Sequence, residues 1–387
     1  MERRNINPRP DWRERVESQG MHFHTSGPET YWDESAYYHF NGRDIEEIEK
    51  AAYSLNQMCL DAVQYVIDHD RFADFRIPPR FVDYIKQSWE RDELTIYGRF
   101  DFSYDGHRAP ALLEYNADTP TSLLEAAVIQ WHWFKDVAEE LGPGTFDQFN
   151  SIHEKLIEAW KKAAVGIDRN GPDGTIHFAS VGIDASVEDF ITVEYLRDVA
   201  AQAGWNTIAI SMAEIGWDPK RRAFVDPQGR PIRRIFKLYP WEWMVREEFG
   251  VNILASPTRW WEPAWKMLLS NKALLAILHE MYPTSPYVLP AAFEPLSETY
   301  VKKPLLSREG ANISVVHQGK IMVETGGDYA DEGWVYQEFR PLPGFDRNYV
   351  VVGAWMVDGY ACGIGLREDR TIVTGNMSRF LPHVYQR

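Results

Sequence analysis

Cysteine is scarce: the 387 residues hold two, Cys59 and Cys362, far apart and outside any CxxC or CxxH pattern. That spacing excludes a thiolate zinc site and a disulfide framework. A chain of this length buries enough core to need neither. Long apolar runs are also missing, and nothing approaches the roughly 18 consecutive apolar residues of a membrane span. Met1 to Arg15 is charged and lacks the apolar stretch of a secretory signal. A reducing, cytoplasmic setting is therefore expected. Positive charge is in deficit, with 41 Lys and Arg against 57 Asp and Glu and a formal charge of −16. This balance argues against a nucleic-acid or anionic-membrane partner. It leaves room for a locally basic phosphate pocket and suits a cationic partner. The GxxxxGK[ST] phosphate loop, internal repeats and low-complexity tracts are absent. Aromatic residues are abundant, 14% with 15 Trp, and such rings usually build cores.

The remaining composition is that of a soluble globular chain, and its length gives a prior of two to three domains. Residues 1–30, rich in Arg, Pro and polar groups, read as an extended arm. Apolar residues at helical spacing predict a helix over 43–67, with Asp44 as N-cap and Glu47 as its capping-box partner. A second helix is expected near 81–89, after the Pro78-Pro79 break. Strands are expected over 95–104 and 109–116, around Asp105-Gly106. Helices follow over 123–140 and 147–164, separated by Gly142-Pro143-Gly144. Strand 175–179, helix 187–203 and strand 205–210 read as a parallel α/β unit. Another strand is expected at 233–238 and a helix at 271–281. The chain beyond Tyr300 is strand-rich, with a hairpin around Asp358-Gly359.

The segment Arg99-Phe100-Asp101 followed by Glu114-Tyr115-Asn116 is the most informative. Residues two apart in a strand share a face, so Arg99 joins Asp101 and Glu114 joins Asn116. An even-numbered connection puts all four on one face, and a four-residue one sets Arg99 opposite Glu114. An odd connection or a bulge breaks the arrangement. Two carboxylates, an amide oxygen and a cation suit hard oxygen coordination of Mg²⁺; a surface salt-bridge ladder fits the same spacing. The polar turn Ala117 to Ser122 enters a helix, where its N–H groups either receive an anion or serve as ordinary caps.

Lys272 opens a helix, in a place that a solvated lysine also fills. Lys303 ends an apolar strand and leads into Ser307-Arg308-Glu309-Gly310-Ala311-Asn312. A strand lysine before a Gly-containing loop can grip phosphate, the ammonium as a point charge and the amides as donors. The strand at Val335-Tyr336-Gln337-Glu338-Phe339 offers backbone groups to an adenine edge, or is simply a sheet edge. Arg367 follows Gly363 and Gly365, either as an exposed residue or as a cation on a transferring phosphate.

Together these blocks resemble the ATP-dependent synthetase domain of the glutathionylspermidine synthase family, and the amine-ligase-like proteins that carry that domain alone. The likeness runs from about Tyr31 to Phe380. It is densest in Tyr97 to Asp101 and Leu113 to Ser122, with support from Ser270 to Ala273, Val301 to Pro304, Arg308 to Ile313, and Gly365 to Arg367. It implies an α/β chain with an ATP-grasp fold in permuted order, plus a Rossmann-like pre-ATP-grasp α/β region. The implied division is an N-terminal helical region at 1–95 and a metal-binding hairpin with helices at 96–165. An α/β substrate region at 166–265 and a nucleotide-binding region at 266–387 complete it. The resemblance implies Mg²⁺ on Asp101, Glu114 and Asn116. It implies ATP on Lys272, Lys303, Glu309, Gly310, Gln337 and Glu338, and catalytic roles for Arg99 and Arg367. Thr119 and Thr121 would contact a peptide-like acid, and Glu188 and Asp189 a cationic amine such as a polyamine. Too few residues precede Arg99 for the family's cysteine-dependent amidase, so synthesis without hydrolysis is expected. A nucleotide-binding regulatory protein and a small-molecule kinase are the competing readings.

Overall fold

A computed structural model describes residues 1–26, 29–168, 171, 174–329, 331–375 and 378–386. Its central sheet is antiparallel, in the order Arg379–Leu381, Tyr360–Asp369, Asn348–Val357, Tyr97–Ser103, Ala111–Asn116, with Gly344–Phe345 beside Asn348–Val357. The expected hairpin thus sits in a sheet whose other strands come from the far end of the chain. A second antiparallel sheet runs Ala291–Ala292, Trp334–Glu338, Tyr300–Pro304, Ser314–His317, Lys320–Glu324. The two sheets line one cleft.

The parallel unit forms as its pattern predicts. Thr175–Ser180 pairs in parallel with Asn206–Ser211, and helix Val187–Gln202 connects them. Arg234–Lys237 and Arg259–Trp261 extend this sheet, also in parallel. Among the described residues no helix is long and apolar enough to cross a membrane.

The N-terminal segment is not an extended arm. Glu2–Asn5 pairs with Ala36–Asn41, and helix Trp12–Ser18 buries Trp12 and Val16. Two of its arginines have distant acidic partners: Arg3 meets Glu368 at 2.9 Å and Arg9 meets Glu34 at 2.6 Å. Composition conceals such pairs because each carboxylate lies far away in sequence.

The long helix spans Gly42–Asp68 and is capped one turn earlier than Asp44. Asn41 accepts from the Asp44 amide at 2.9 Å, and the Asp44 carboxylate accepts from the Asn41 amide at 3.0 Å. Asp44 is therefore the reciprocal partner in the box, and Glu47 lies outside it. The buried face, including Ile48, Leu55, Cys59 and Val66, packs on helix Ala273–Met281 and the central sheet. The helix expected over 147–164 starts at Ile152, because Phe146–Asp147 instead pairs with His383–Gln386.

Two buried ion pairs tie the hairpin to the parallel sheet. Asp118, just past the hairpin, accepts from Lys237 Nζ at 2.6 Å and from the Trp241 amide at 2.9 Å. Glu262 meets Lys266 Nζ at 2.7 Å and accepts from the Ile96 amide at 3.1 Å. The Lys266 ammonium also donates to the Tyr97 carbonyl at 2.6 Å. Removing one partner of such a pair strands a charge in low dielectric. Asp118→Ala is expected to lower unfolding free energy by about 3–5 kcal/mol, read by urea denaturation. A loss within experimental error would mean Lys237 finds another partner.

Candidate active site

The hairpin reaches the expected face by an unexpected route. Ser103 pairs with Ala111 and Phe102 with Leu112, so the connection, 104 to 110, has an odd number of residues. A bulge then shifts the register, and Asp101 faces Glu114 while Arg99 faces Asn116. Either departure alone would turn Glu114 and Asn116 away; together they cancel. Arg99 is opposite Asn116 and not Glu114, which corrects the simple four-residue pairing. The other face is apolar, with Phe100 stacked on Tyr115 at 3.9 Å between centroids. Burying these rings fixes which side the charges occupy.

The bulge also exposes backbone acceptors. Leu113 is the extra residue, and its carbonyl accepts from Lys303 Nζ at 2.8 Å. The neighbouring Leu112 carbonyl accepts from Gln337 Nε2 at 2.9 Å, and Gln337 Oε1 accepts from Lys303 at 2.7 Å. A local irregularity in one sheet thereby holds the lysine of another.

Around Asp101 the charges close in. Arg99 reaches its two oxygens at 2.6 and 3.1 Å, and Arg367 reaches Oδ2 at 2.8 Å. Asn116 Nδ2 donates to Asp101 and Glu114, each at 3.2 Å. Lys272 stands 3.4 Å from Glu114 and donates to the Ser307 carbonyl at 2.6 Å. Burial raises the Glu114 pKa, but Lys272 and Lys303 outweigh it and hold the carboxyl at about 2. Burial pushes Lys303 down to about 8, against the pull of Glu114. Gly353 leaves room for Arg99: a Cβ there would lie 2.8 Å from Arg99 Cδ.

The donor set fits a hard cation. Asp101, Glu114 and Asn116 lie on one face, and turning the Asn116 amide over points Oδ1 where Nδ2 lies. Among the described residues no three His, Cys, Asp or Glu side chains gather as a complete cage. Two carboxylates with ligands from phosphate and water is the usual Mg²⁺ pattern. A cleft opens beside this face. Its walls include Val301, Ile313, Val315, Leu342 and Val351, and Lys303, Asp101 and Glu114 also line it. Such a cleft takes a flat apolar group with a charged tail.

Other expected residues are more dispersed. Glu338 lines the same cleft with an exposed side chain, and its amide donates to the Pro290 carbonyl at 2.7 Å. Glu309 and Gly310 both have positive φ, and a Cβ on Gly310 would meet the Thr374 carbonyl at 2.5 Å. Glu309 and Asp189 line a neighbouring cleft with Arg308. Thr121 and Thr119 are engaged through their carbonyls, by Arg99 at 2.7 Å and Arg308 at 3.3 Å. Glu188 accepts from Ser122 Oγ at 3.1 Å. Burial, more than neighbouring charge, raises Asp189 to about 6.

Sequence reasoning missed Asp118, Ser122 and Glu125. The available signal for Glu125 was one acid inside the apolar run Leu123 to Ile129. In the structure it opens a π-helical turn, Glu125–Ile129, a distortion frequent at functional sites.

Glu114→Gln should lower the Lys303 pKa below its present value of about 8, because the variant removes an attraction that favours the charged ammonium. Lysine-selective NMR titration reads this directly. An unchanged or raised value would show that Glu114 does not govern the lysine.

The chain is 41% identical over 391 residues to a Haemophilus influenzae protein with the provisional name acid–amine ligase, covering 97% of each. It is 29% identical to trypanothione synthetase of Crithidia fasciculata, covering 84% of this chain and 53% of that one. It is 28% identical to the bifunctional glutathionylspermidine synthetase/amidase of Escherichia coli, covering 94% of this chain and 61% of that one. The chain thus spans only part of the latter two. A glutathione synthetase-like effector of Globodera pallida, solved in its apo form, superposes with a TM-score of 0.57 at 12% identity, covering 96% of this chain and 95% of that one. That likeness supports the α/β, ATP-grasp class of fold. Residues 3–386 match the family described as glutathionylspermidine synthase preATP-grasp, and with this match over almost its whole length the chain belongs to the glutathionylspermidine synthase family.

Proposed function

We propose that the chain is an ATP-dependent carboxylate–amine ligase, forming an amide through an acyl phosphate and releasing ADP. One observation carries this reading: four cations surround the buried Asp101, the half-buried Glu114 and an amide beside a cleft with apolar walls. The relatives' names, acid–amine ligase, trypanothione synthetase and glutathionylspermidine synthetase, support amide synthesis.

The acid's carboxylate attacks the γ-phosphorus, ADP leaves, and an amine then displaces phosphate from the acyl carbon. The first step brings two anions together, so positive charge must be in place beforehand. Lys272 and Lys303 hold the phosphates, Arg367 faces the transferring group, and Arg99 binds the acid. Gln337 and Glu338 lie on the strand that offers its backbone to the adenine edge, with the Glu309-Gly310 loop beside the phosphates. Asp101, Glu114 and Asn116 would hold Mg²⁺, which supplies further positive charge at the phosphate oxygens. Thr119 and Thr121 border the acid, and Glu188 and Asp189 attract the amine. The partners are thus a small or peptide carboxylate and an amine, with polyamines among the candidates.

The reading assigns synthesis without amidase activity. Cys59 and Cys362 are buried and unpaired, and burial pushes both thiols up, the reverse of an activated nucleophile. Unpaired thiols also fit a cytoplasmic setting.

The test is a screen of amino acids, short peptides and polyamines for ADP release, with mass detection of product and hydroxylamine trapping of the acyl phosphate. Asp101→Asn should stay folded by circular dichroism and lose about 10²–10³-fold in rate. ADP release without hydroxamate would favour a kinase, ATP binding without ADP release a regulatory protein, and full activity in Asp101→Asn would remove the metal assignment.

A further inference from the structure

A line of hydroxyls and carboxylates begins beside the Thr121 carbonyl that Arg99 holds. Glu188, half-buried, accepts from Ser122 Oγ at 3.1 Å. Ser122 Oγ lies 3.4 Å from Tyr31 Oη, where either oxygen can donate. Tyr31 Oη donates to Glu125 Oε1 at 2.7 Å. Glu125, Ser122 and Tyr31 are 1%, 3% and 8% exposed. The line therefore runs from an accessible carboxylate to one sealed from water. Its middle is held from the acid side, since Arg99 donates to the carbonyl of Thr121, the residue before Ser122, at 2.7 Å.

Glu125 needs an explanation. A buried carboxylate normally has a cation partner, yet among the described residues no Lys or Arg forms an ion pair with Glu125. Its charged neighbours are Glu188 and, at longer range, Arg99, and its hydrogen-bond donors include the Tyr31 phenol. Burial foremost, then the charge of Glu188, pushes its pKa up to about 7. Tyr31 is pushed far from ionising, again mainly by burial, so it passes protons without keeping a charge.

We propose that Glu188, Ser122, Tyr31 and Glu125 form a proton path that takes the proton from the attacking amine into the protein interior. The proposal rests on the ligase reading. An alkylamine arrives mostly as ammonium at neutral pH, and it leaves the reaction as an uncharged amide. In the step, nitrogen bonds the acyl carbon while the carbon–oxygen bond to phosphate breaks, its electron pair leaving with phosphate. Of the ammonium's two surplus protons, one passes to Glu188 before attack and frees the nitrogen lone pair, and the other leaves on the departing phosphate. Glu188, Ser122 and Tyr31 each hand one proton on, so Glu125 ends protonated and the others are restored. Glu125 is a positioning and proton-storing residue, because it acts through Tyr31.

The test separates this path from the reading beneath it by changing the nucleophile. Hydroxylamine is already largely unprotonated at neutral pH and needs no such path. The acid and polyamine that release most ADP in the screen serve as the amine reaction. Glu125→Gln should slow amide formation about 10²-fold at pH 7 and leave hydroxamate formation at the wild-type rate. The lost rate should return as pH rises and the amine deprotonates by itself. Tyr31→Phe, which keeps both carboxylates, should show the same split. In the wild-type enzyme, rates in H₂O–D₂O mixtures should curve for the polyamine and stay linear for hydroxylamine, a readout independent of either variant. Equal losses with both nucleophiles, an unchanged polyamine rate, or a linear isotope plot overturns the path. Failure of the wild-type enzyme to form hydroxamate from ATP and the acid overturns the ligase reading instead.

Discussion

Asp101 is shared by two guanidinium groups, and the arrangement of the site depends on that sharing. Arg99 comes from the same strand and Arg367 from a strand near the other end of the chain. Through Asn116 the contact extends to Glu114, and from there to Lys272. Well-packed apolar residues would stabilise a sheet at least as well as such buried ions. Stability is therefore a poor account of why these groups are here. Counting Arg99, Lys272, Lys303 and Arg367 against Asp101 and Glu114 leaves two positive charges unmatched. In a chain of formal charge −16, that local surplus is a place prepared for anions.

The charge cluster holds its geometry because apolar and ionic constraints act on opposite sides of one hairpin. Phe100, Phe102 and Tyr115 bury one face. The Asp118–Lys237 and Glu262–Lys266 pairs fasten the hairpin's ends to the parallel sheet. The bulge at Leu113 joins the constraints: it returns Glu114 to the charged face and frees the carbonyl that fixes Lys303. Tyr97 and Trp355, stacked in parallel with centroids 6.1 Å apart, show where part of the aromatic content goes. Arg99 lies over that same Trp355 ring, 5.5 Å from its centroid.

Local pattern reported local structure well. The long helix, the strand–helix–strand unit and the two hairpins around 105 and 358 follow from periodicity and turn residues, each formed by neighbours in sequence. Alternation showed that Arg99, Asp101, Glu114 and Asn116 belong together, because period two is a property of a single strand. It could not show the pairing, since loop parity and bulge each shift register by one and cancel without trace. The order of the N-terminal segment was hidden because Arg3 and Arg9 are neutralised by Glu368 and Glu34, carboxylates set by tertiary structure. The cap at Asn41 was displaced for a related reason: Asp44 can serve as N-cap or as the third residue of the box, and the chain before it decides. Asp118 looked like an ordinary turn residue, and only the parallel sheet supplies its lysine.

Arg99 is where these separate features meet. On one side lie the lysines and Arg367, a cationic end suited to phosphates. On the other lie Ser122, Glu188 and Glu125, an acidic and hydroxyl-lined end suited to ammonium. Their ionisation follows the division: Glu114 is held low by lysines, whereas Glu125 is held high by burial and by Glu188. Two carboxylates of one chain thus differ in proton affinity, because lysines face Glu114 whereas Glu125 is sealed from water beside another carboxylate. A ligase must do two opposed things to its substrates, drive two anions together and then discharge an ammonium. On the proposed reading Arg99 serves both tasks, pairing with Asp101 beside Arg367 and holding the Thr121 carbonyl next to Ser122.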